Sequence, residues 1–353
     1  MTLSADVVVI GGGVNGTSLA WHLAKKGASV ILLEKGALAS GASGKSGALV
    51  RMHYTDRYDA ALAWQSMSYF KHWEDVVGPG NPNYTECGMI RIVHERFSDR
   101  LRANIGMLKE IGINTDLITA AEVAAIDPGC YTGDFDLAAW EPESGYADPV
   151  ATTHGFARAA AELGVRVHEG VAATAIETAG GKVTGVTTPL GTIATGNAVV
   201  AAGAWASALL SPLGLEYGLR ANRVQITIMR RAADDQPTHP VIIDGLNNTW
   251  LRPEGDYATL CGIGRDQLDV DPDLYAEGVE QEYLIDSQRR CAKRRPALAR
   301  SFMRGGWGGI ITMSPDGHAI LGNLEPTPAC TASWATAART SRPRPASAPT
   351  WRR

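Results

Sequence analysis

Three glycines and one glutamate near the start of the chain have the types and spacing to hold a dinucleotide. In ADVVVIGGGVNGTSLAWHLAKKGASVILLEKG, Gly11, Gly13 and Gly16 form G-x-G-x-x-G, and Glu34 follows at the end of the next apolar run. Gly11 permits a tight turn, Gly13 admits a pyrophosphate against the backbone, and Gly16 lets a helix pack closely on a strand. The free N–H groups of Val14, Asn15 and their neighbours, at the start of that helix, then face phosphate oxygens. The Glu34 carboxylate, next to Lys35, suits the hydroxyls of an adenosine ribose and repels a 2′-phosphate. The spacing therefore suits FAD or NAD and disfavours NADP.

The elements that must position these residues surround them in order. Residues 7–10 are a continuous β-branched run, the mark of a parallel strand buried on both faces. A helical pattern over 18–26 and a second buried run over 29–33 complete a β-α-β unit. The whole chain has 353 residues, 45% hydrophobic and 20% charged, which is enough for a sizeable core and more than one domain. Its net charge is −4, and the last 24 residues carry five arginines, so the body is acidic and offers no nucleic-acid surface. Five scattered cysteines fit a reduced, cytoplasmic compartment and no metal site. No signal peptide is expected at the N-terminus. The uncharged stretch 183–215 is cut by Gly, Pro, Thr and Asn, so hairpin, buried strand, turn and helix are expected there, and no membrane span.

A Gly/Ser-rich loop, with Ser43, Gly44, Lys45, Ser46 and Gly47, follows directly and ends in ALVRMHYTD. Such a loop lines up backbone N–H groups along a phosphate or a flavin edge. Together with the first motif it resembles the D-amino-acid oxidase-like FAD oxidoreductases, the group of glycine oxidase, sarcosine oxidase and D-amino-acid dehydrogenase. Three later stretches carry the same resemblance: ESGYADPVATTHGFARAAAELGVRVHEGVAATAI, which includes Val171; GNAVVAAGAWASALL, with Ala202, Gly203 and Trp205; and GGWGGIITMSPDGHAILGN.

The resemblance implies an α/β fold with a discontinuous FAD-binding Rossmann-like domain over 1–80, 145–220 and 300–325. A second α+β substrate domain, over 81–144 and 221–299, would be built on an antiparallel sheet. Strands are expected at 222–230, 239–245, 249–255 and 257–264, with a flanking helix over 275–294. The implied activity is oxidation of the C–N bond of a small amino acid or N-methyl amino acid by hydride transfer to flavin N5. Oxygen or another acceptor would take the electrons. Arginine is the natural clamp for the substrate carboxylate. Arg51 stands where the family places an arginine beside the flavin, and His53 would share its face on an extended strand. Arg252 and Tyr257, on the sheet that would roof the flavin, complete the expected catalytic group.

Departures from the family matter too. GGWGGIITMSPD has no cysteine, so non-covalent FAD is expected, and YATLCGIG has no lysine, which favours a dehydrogenase. After Leu324 the family's glycine-rich turn and Phe-Lys pair are absent. Read one base earlier, residues 329–342 can decode as G-L-Y-x-x-x-G-H-S-G-x-x-F-K, so 326–353 reads as an out-of-frame or disordered tail. Two alternatives stand beside the amine-oxidising reading: a catalytically impaired flavin-binding product, and a non-amine FAD enzyme of the same fold.

Overall fold

The computed structural model describes residues 3–235 and 238–324, and the backbone of 330–333. Strands Val7–Ile10 and Val30–Leu33 are buried at every residue and pair in parallel, Val8 opposite Ile31. Alternate residues face opposite layers. Val8, Ile10, Ile31 and Leu33 pack against the antiparallel sheet formed by Ala175–Ala179, Lys182–Thr188 and Gly191–Ala194. Val7, Val9, Val30 and Leu32 pack against helices Val14–Lys25 and Pro149–Glu162, through Trp21, Phe156 and Ala160. Asp148 starts the second helix by accepting hydrogen bonds from Val150 and Ala151 N–H, both 2.9 Å, with Pro149 in the first turn.

Across this nucleotide-binding sheet the order is Leu321–Asn323, Cys330–Ser333, Ala198–Val200, Val7–Ile10, Val30–Leu33, Arg166–His168. All pairs are parallel except the first. Part of the segment set apart as a tail, Cys330–Ser333, is thus a strand beside Ala198–Val200. The turn and Phe-Lys positions read from the alternative frame lie otherwise outside the described residues.

The second sheet is larger. Its order runs Gln267–Leu268, Arg220–Arg230, Ala258–Ile263, Thr249–Glu254, Val241–Asp244, Met89–Ile92, Leu137–Glu141, Asp116–Thr119. All four strands expected between 222 and 264 are present. The sheet is antiparallel but for one pair, Val241–Asp244 with Met89–Ile92. It also takes in Phe302–Met313, which pairs along Arg220–Arg230, so the segment 300–325 divides between the two sheets. Ile90, Ile92, Ile242, Leu251 and Cys261 face Cys291 and Leu298 on one side. The opposite face meets the nucleotide domain, with Trp250 against Gly47 and Trp307 Nε1 donating to Lys45 O at 2.8 Å.

The flanking helix begins later than expected, at Gln281 instead of residue 275. Gln225 fixes its start by accepting from Glu280 N–H at 2.8 Å, and Arg223 holds the Glu280 carboxylate at 2.6 Å. Arg223 also donates to Ala276 O and Gly278 O, both 2.8 Å. Those bonds hold 276–278 as a loop, because in a helix the same carbonyls would accept from N–H groups four residues on.

Candidate active site

The glycine turn is shaped by contacts that no side chain would survive. Gly11 has φ 115°, and a Cβ there would lie 2.3 Å from Ala201 O. A Cβ on Gly16 would lie 1.9 Å from Gly11 O. The helix that follows opens with no acidic residue in its first turn, leaving its positive end for an anion. Glu34 accepts from Gly12 N–H at 2.7 Å and from Gly36 N–H at 2.8 Å, so its carboxylate is locked at the rim of the turn.

These elements bound a cavity of about 680 Å³, within the range of cofactor sites. Of the expected cofactor residues, Gly11, Gly13, Val14, Asn15, Glu34, Lys35, Ser43, Lys45, Ser46, Ala202, Gly203 and Trp205 line it. The others support it from behind. Gly16 seats the helix. Gly44 lets the loop close on Ala39 O, 2.3 Å from where its Cβ would be. Gly47 lies against the Trp250 ring, and Val171 donates from its backbone N–H to Glu34 O at 2.9 Å. The cavity continues past Ala48, Leu49 and Val50 to Ile310 and Thr312, an apolar end under the large sheet. A glycine turn, a helix start, an anchored carboxylate and a long cavity with an apolar end together fit FAD.

One wall was not legible in the sequence. It is formed by Pro272, Asp273, Tyr275 and Glu277. Asp273 accepts from Lys35 Nζ and from Trp205 Nε1, both at 2.7 Å, and Lys35 lies 4.0 Å over the Trp205 ring. Lys45 Nζ reaches Tyr275 OH at 2.6 Å and Glu277 at 3.0 Å. The hydrogen bonds from Lys35 and then Trp205 hold the Asp273 carboxyl below the usual range. Burial pulls Lys45 down, but its bonds to Tyr275 and Glu277 outweigh that and raise it.

The expected catalytic group is not assembled as one cluster. The extended strand ends at Val50, and Arg51 folds back to donate to His53 O at 2.7 Å, its guanidinium 4.4 Å over the Tyr54 ring. His53 turns the other way and is buried, with Nδ1 3.4 Å from Glu141 and Nε2 3.2 Å from Asn104. The cause is Glu141, whose carboxylate accepts from Met52 N–H at 3.1 Å and takes the chain out of the ladder. Arg51 and His53 therefore do not share a face. Arg252 is buried and committed: Nε donates to Gly47 O at 2.6 Å, Nη1 to Pro253 O at 2.8 Å, with an ion pair to Glu254 and the Tyr146 ring 4.3 Å away. It ties the roof sheet to the Gly/Ser-rich loop. Tyr257 stands in an exposed turn, 71% accessible, away from the cavity. Trp250 and Arg91 went unnoticed in the sequence. Their one signal is a bulky or charged residue within a short apolar strand.

Comparison with known proteins agrees with this geometry. The family model described as FAD dependent oxidoreductase matches residues 6–338. The chain is 27% identical over 336 residues to the beta subunit of sarcosine oxidase from an Arthrobacter species, covering 90% of this chain and 79% of that one. It is 26% identical to the mitochondrial sarcosine dehydrogenase of Homo sapiens, covering 90% of this chain but only 36% of that protein. In three dimensions it resembles L-proline dehydrogenase from P. horikoshii, with TM-score 0.87, 24% identity, and coverage of 95% and 88% of the two chains. Among the described residues no helix is long and apolar enough to cross a membrane. With the glycine turn, the anchored glutamate and the long cleft in place, the chain belongs to the DAO family of FAD dependent oxidoreductases.

Proposed function

We propose that the protein oxidises the C–N bond of a small amino acid or N-methyl amino acid. Bound FAD supplies the hydride acceptor, at N5 of its ring. Arg51 is the observation that carries the reading. It directly follows Val50, which lines the apolar end of the cleft, and among the described residues its hydrogen-bond and ring partners are the His53 carbonyl and the Tyr54 ring. Its guanidinium thus keeps donors for a carboxylate, and a fork of parallel N–H groups would fix the neighbouring C–N bond in one orientation. Leu49, Val50 and Ile310, which line that end, keep it apolar. The names of the relatives, sarcosine oxidase and sarcosine dehydrogenase, support an N-methyl amino acid. The lysine-free strand Ala258–Ile263 favours an acceptor other than oxygen.

Anaerobic titration of the purified yellow protein with glycine, sarcosine, proline and the D- and L-amino acids tests this. The visible flavin absorbance should be lost with at least one of them, and Arg51→Met should raise the concentration required about ten- to a hundred-fold. Reduction by none of these amines overturns the reading.

A further inference from the structure

We propose that the loop 271–275 is a gate through which FAD enters and leaves, latched by side-chain bonds to the opposite wall of the cleft. The proposal goes beyond the oxidation and rests only on the cofactor. Pro272, Asp273 and Tyr275 line the same cavity as the glycine turn and Glu34. Their side-chain partners Lys35, Lys45 and Trp205 belong to the nucleotide side and line it too. The loop's other side meets solvent, since Leu274, between Asp273 and Tyr275, is 82% exposed.

Both ends of the loop are tied down. Before it, Gln267 and Leu268 pair with Arg223 and Asn222 on the large sheet, and Val270 N–H donates to Ala221 O at 3.3 Å. After it, the buried Arg223 donates to Ala276 O and Gly278 O, and Gly308 N–H donates to Glu277 O at 2.7 Å. Between these anchors no residue of 271–275 belongs to a hydrophobic core cluster among the described residues. The loop's own backbone bonds are internal, Asp273 N–H to the Asp271 carboxylate at 2.9 Å and Leu274 N–H to Asp271 O at 3.2 Å.

What closes the loop onto the cleft is therefore a short set of polar contacts. Asp273 takes Lys35 Nζ and Trp205 Nε1, and Tyr275 OH takes Lys45 Nζ, which Glu277 shares. The Lys35–Asp273 pair is wet, its side chains 45% and 63% exposed, so water and salt weaken it. A segment with firm ends and a weakly held, screened centre opens locally without unfolding its neighbours. Opening frees both lysines and removes one wall of the cavity. Closure puts back a wall that a bound dinucleotide has to pass.

FAD release from the holoprotein, followed by the rise in flavin fluorescence on dilution, tests the gate together with FAD uptake by flavin-free protein. Asp273→Asn removes the charge and keeps the shape, and should speed both rates about two-fold. Asp273→Asn combined with Tyr275→Phe and Glu277→Gln should speed both about five-fold or more. The dissociation constant should move less than about two-fold, because a gate lowers one barrier for both directions. Raising salt from about 0.05 to about 0.5 M should speed release from the wild type more than from the combined variant. Thermal midpoints verify that each variant folds. Rates unmoved in the combined variant overturn the gate. Faster release with unchanged uptake also overturns it and makes the loop a cofactor contact. Faster uptake with unchanged release overturns it in favour of simple attraction by the freed lysines. Should the combined variant hold no flavin, Tyr275→Phe alone decides by the same two rates.

Discussion

The two walls of the cofactor cleft are built in different ways. On the nucleotide side, shape comes from what is missing: Gly11 and Gly16 sit where any side chain would strike backbone within 2.3 Å. On the roof side, shape comes from side chains that are present and opposed, Arg252 on Gly47 O and Trp250 on Gly47 itself. Backbone against backbone has no rotamer to adjust, so the first wall tolerates almost nothing. The roof holds through hydrogen bonds and ring contacts whose loss is graded. What differs is how far each wall yields before the cofactor is lost.

Gly16→Ala should show the largest effect. Its Cβ would overlap Gly11 O, so we expect a loss of more than about 3 kcal/mol and protein purified without yellow colour. Retained flavin would break the comparison, because the wall would then have given way. Glu34→Gln comes next. It keeps the shape but removes the charge that holds Gly12 and Gly36 N–H, and FAD affinity should fall about ten- to a hundred-fold, measured by flavin fluorescence titration.

Arg252→Met tests the roof. Losing the Gly47 tether should cost about 2 kcal/mol, visible as a lower thermal midpoint while flavin is still bound. Flavin loss ahead of thermal destabilisation would show that the roof is as unforgiving as the floor. Asp273 sets a smaller effect with a sign. Its carboxyl is held below the usual range by Lys35 and Trp205. The bond's contribution is therefore fully present above the unfolded value near 4, and it is lost as pH falls through the lower folded value. Protection from hydrogen exchange over 272–277, taken relative to the intrinsic rate at each pH, should hold from neutral pH to about pH 4 and fall below. Asp273→Asn should flatten that dependence and cost no more than about 0.5 kcal/mol. Tyr257→Phe, in its exposed turn, should leave flavin content and stability as they are.

Most of the nucleotide side was legible in the residues themselves. A β-branched run, a glycine spacing and an acid at the end of the next strand are local patterns. Each glycine answers to a neighbour brought close by the same β-α-β unit. The roof strands were legible as well, through alternation and turn residues. The directions of their polar side chains were not. Arg51 and His53 part because Glu141, far along the chain, takes the Met52 N–H. Arg252 is spent because the loop at Gly47 comes within reach only after the sheets pack.

The chain's own order of residues determined a dinucleotide turn, the buried strands and the helix that presents its start to a phosphate, because those depend on spacing of a few residues and on backbone sterics. Tertiary structure decided what each arginine meets. The parallel pairing of Val241–Asp244 with Met89–Ile92 puts Arg91 in the row with Trp250, and Glu141 takes the Met52 N–H next to Arg51. A guanidinium binds whatever acceptor the fold leaves within reach, and only long-range register determines which acceptor that is.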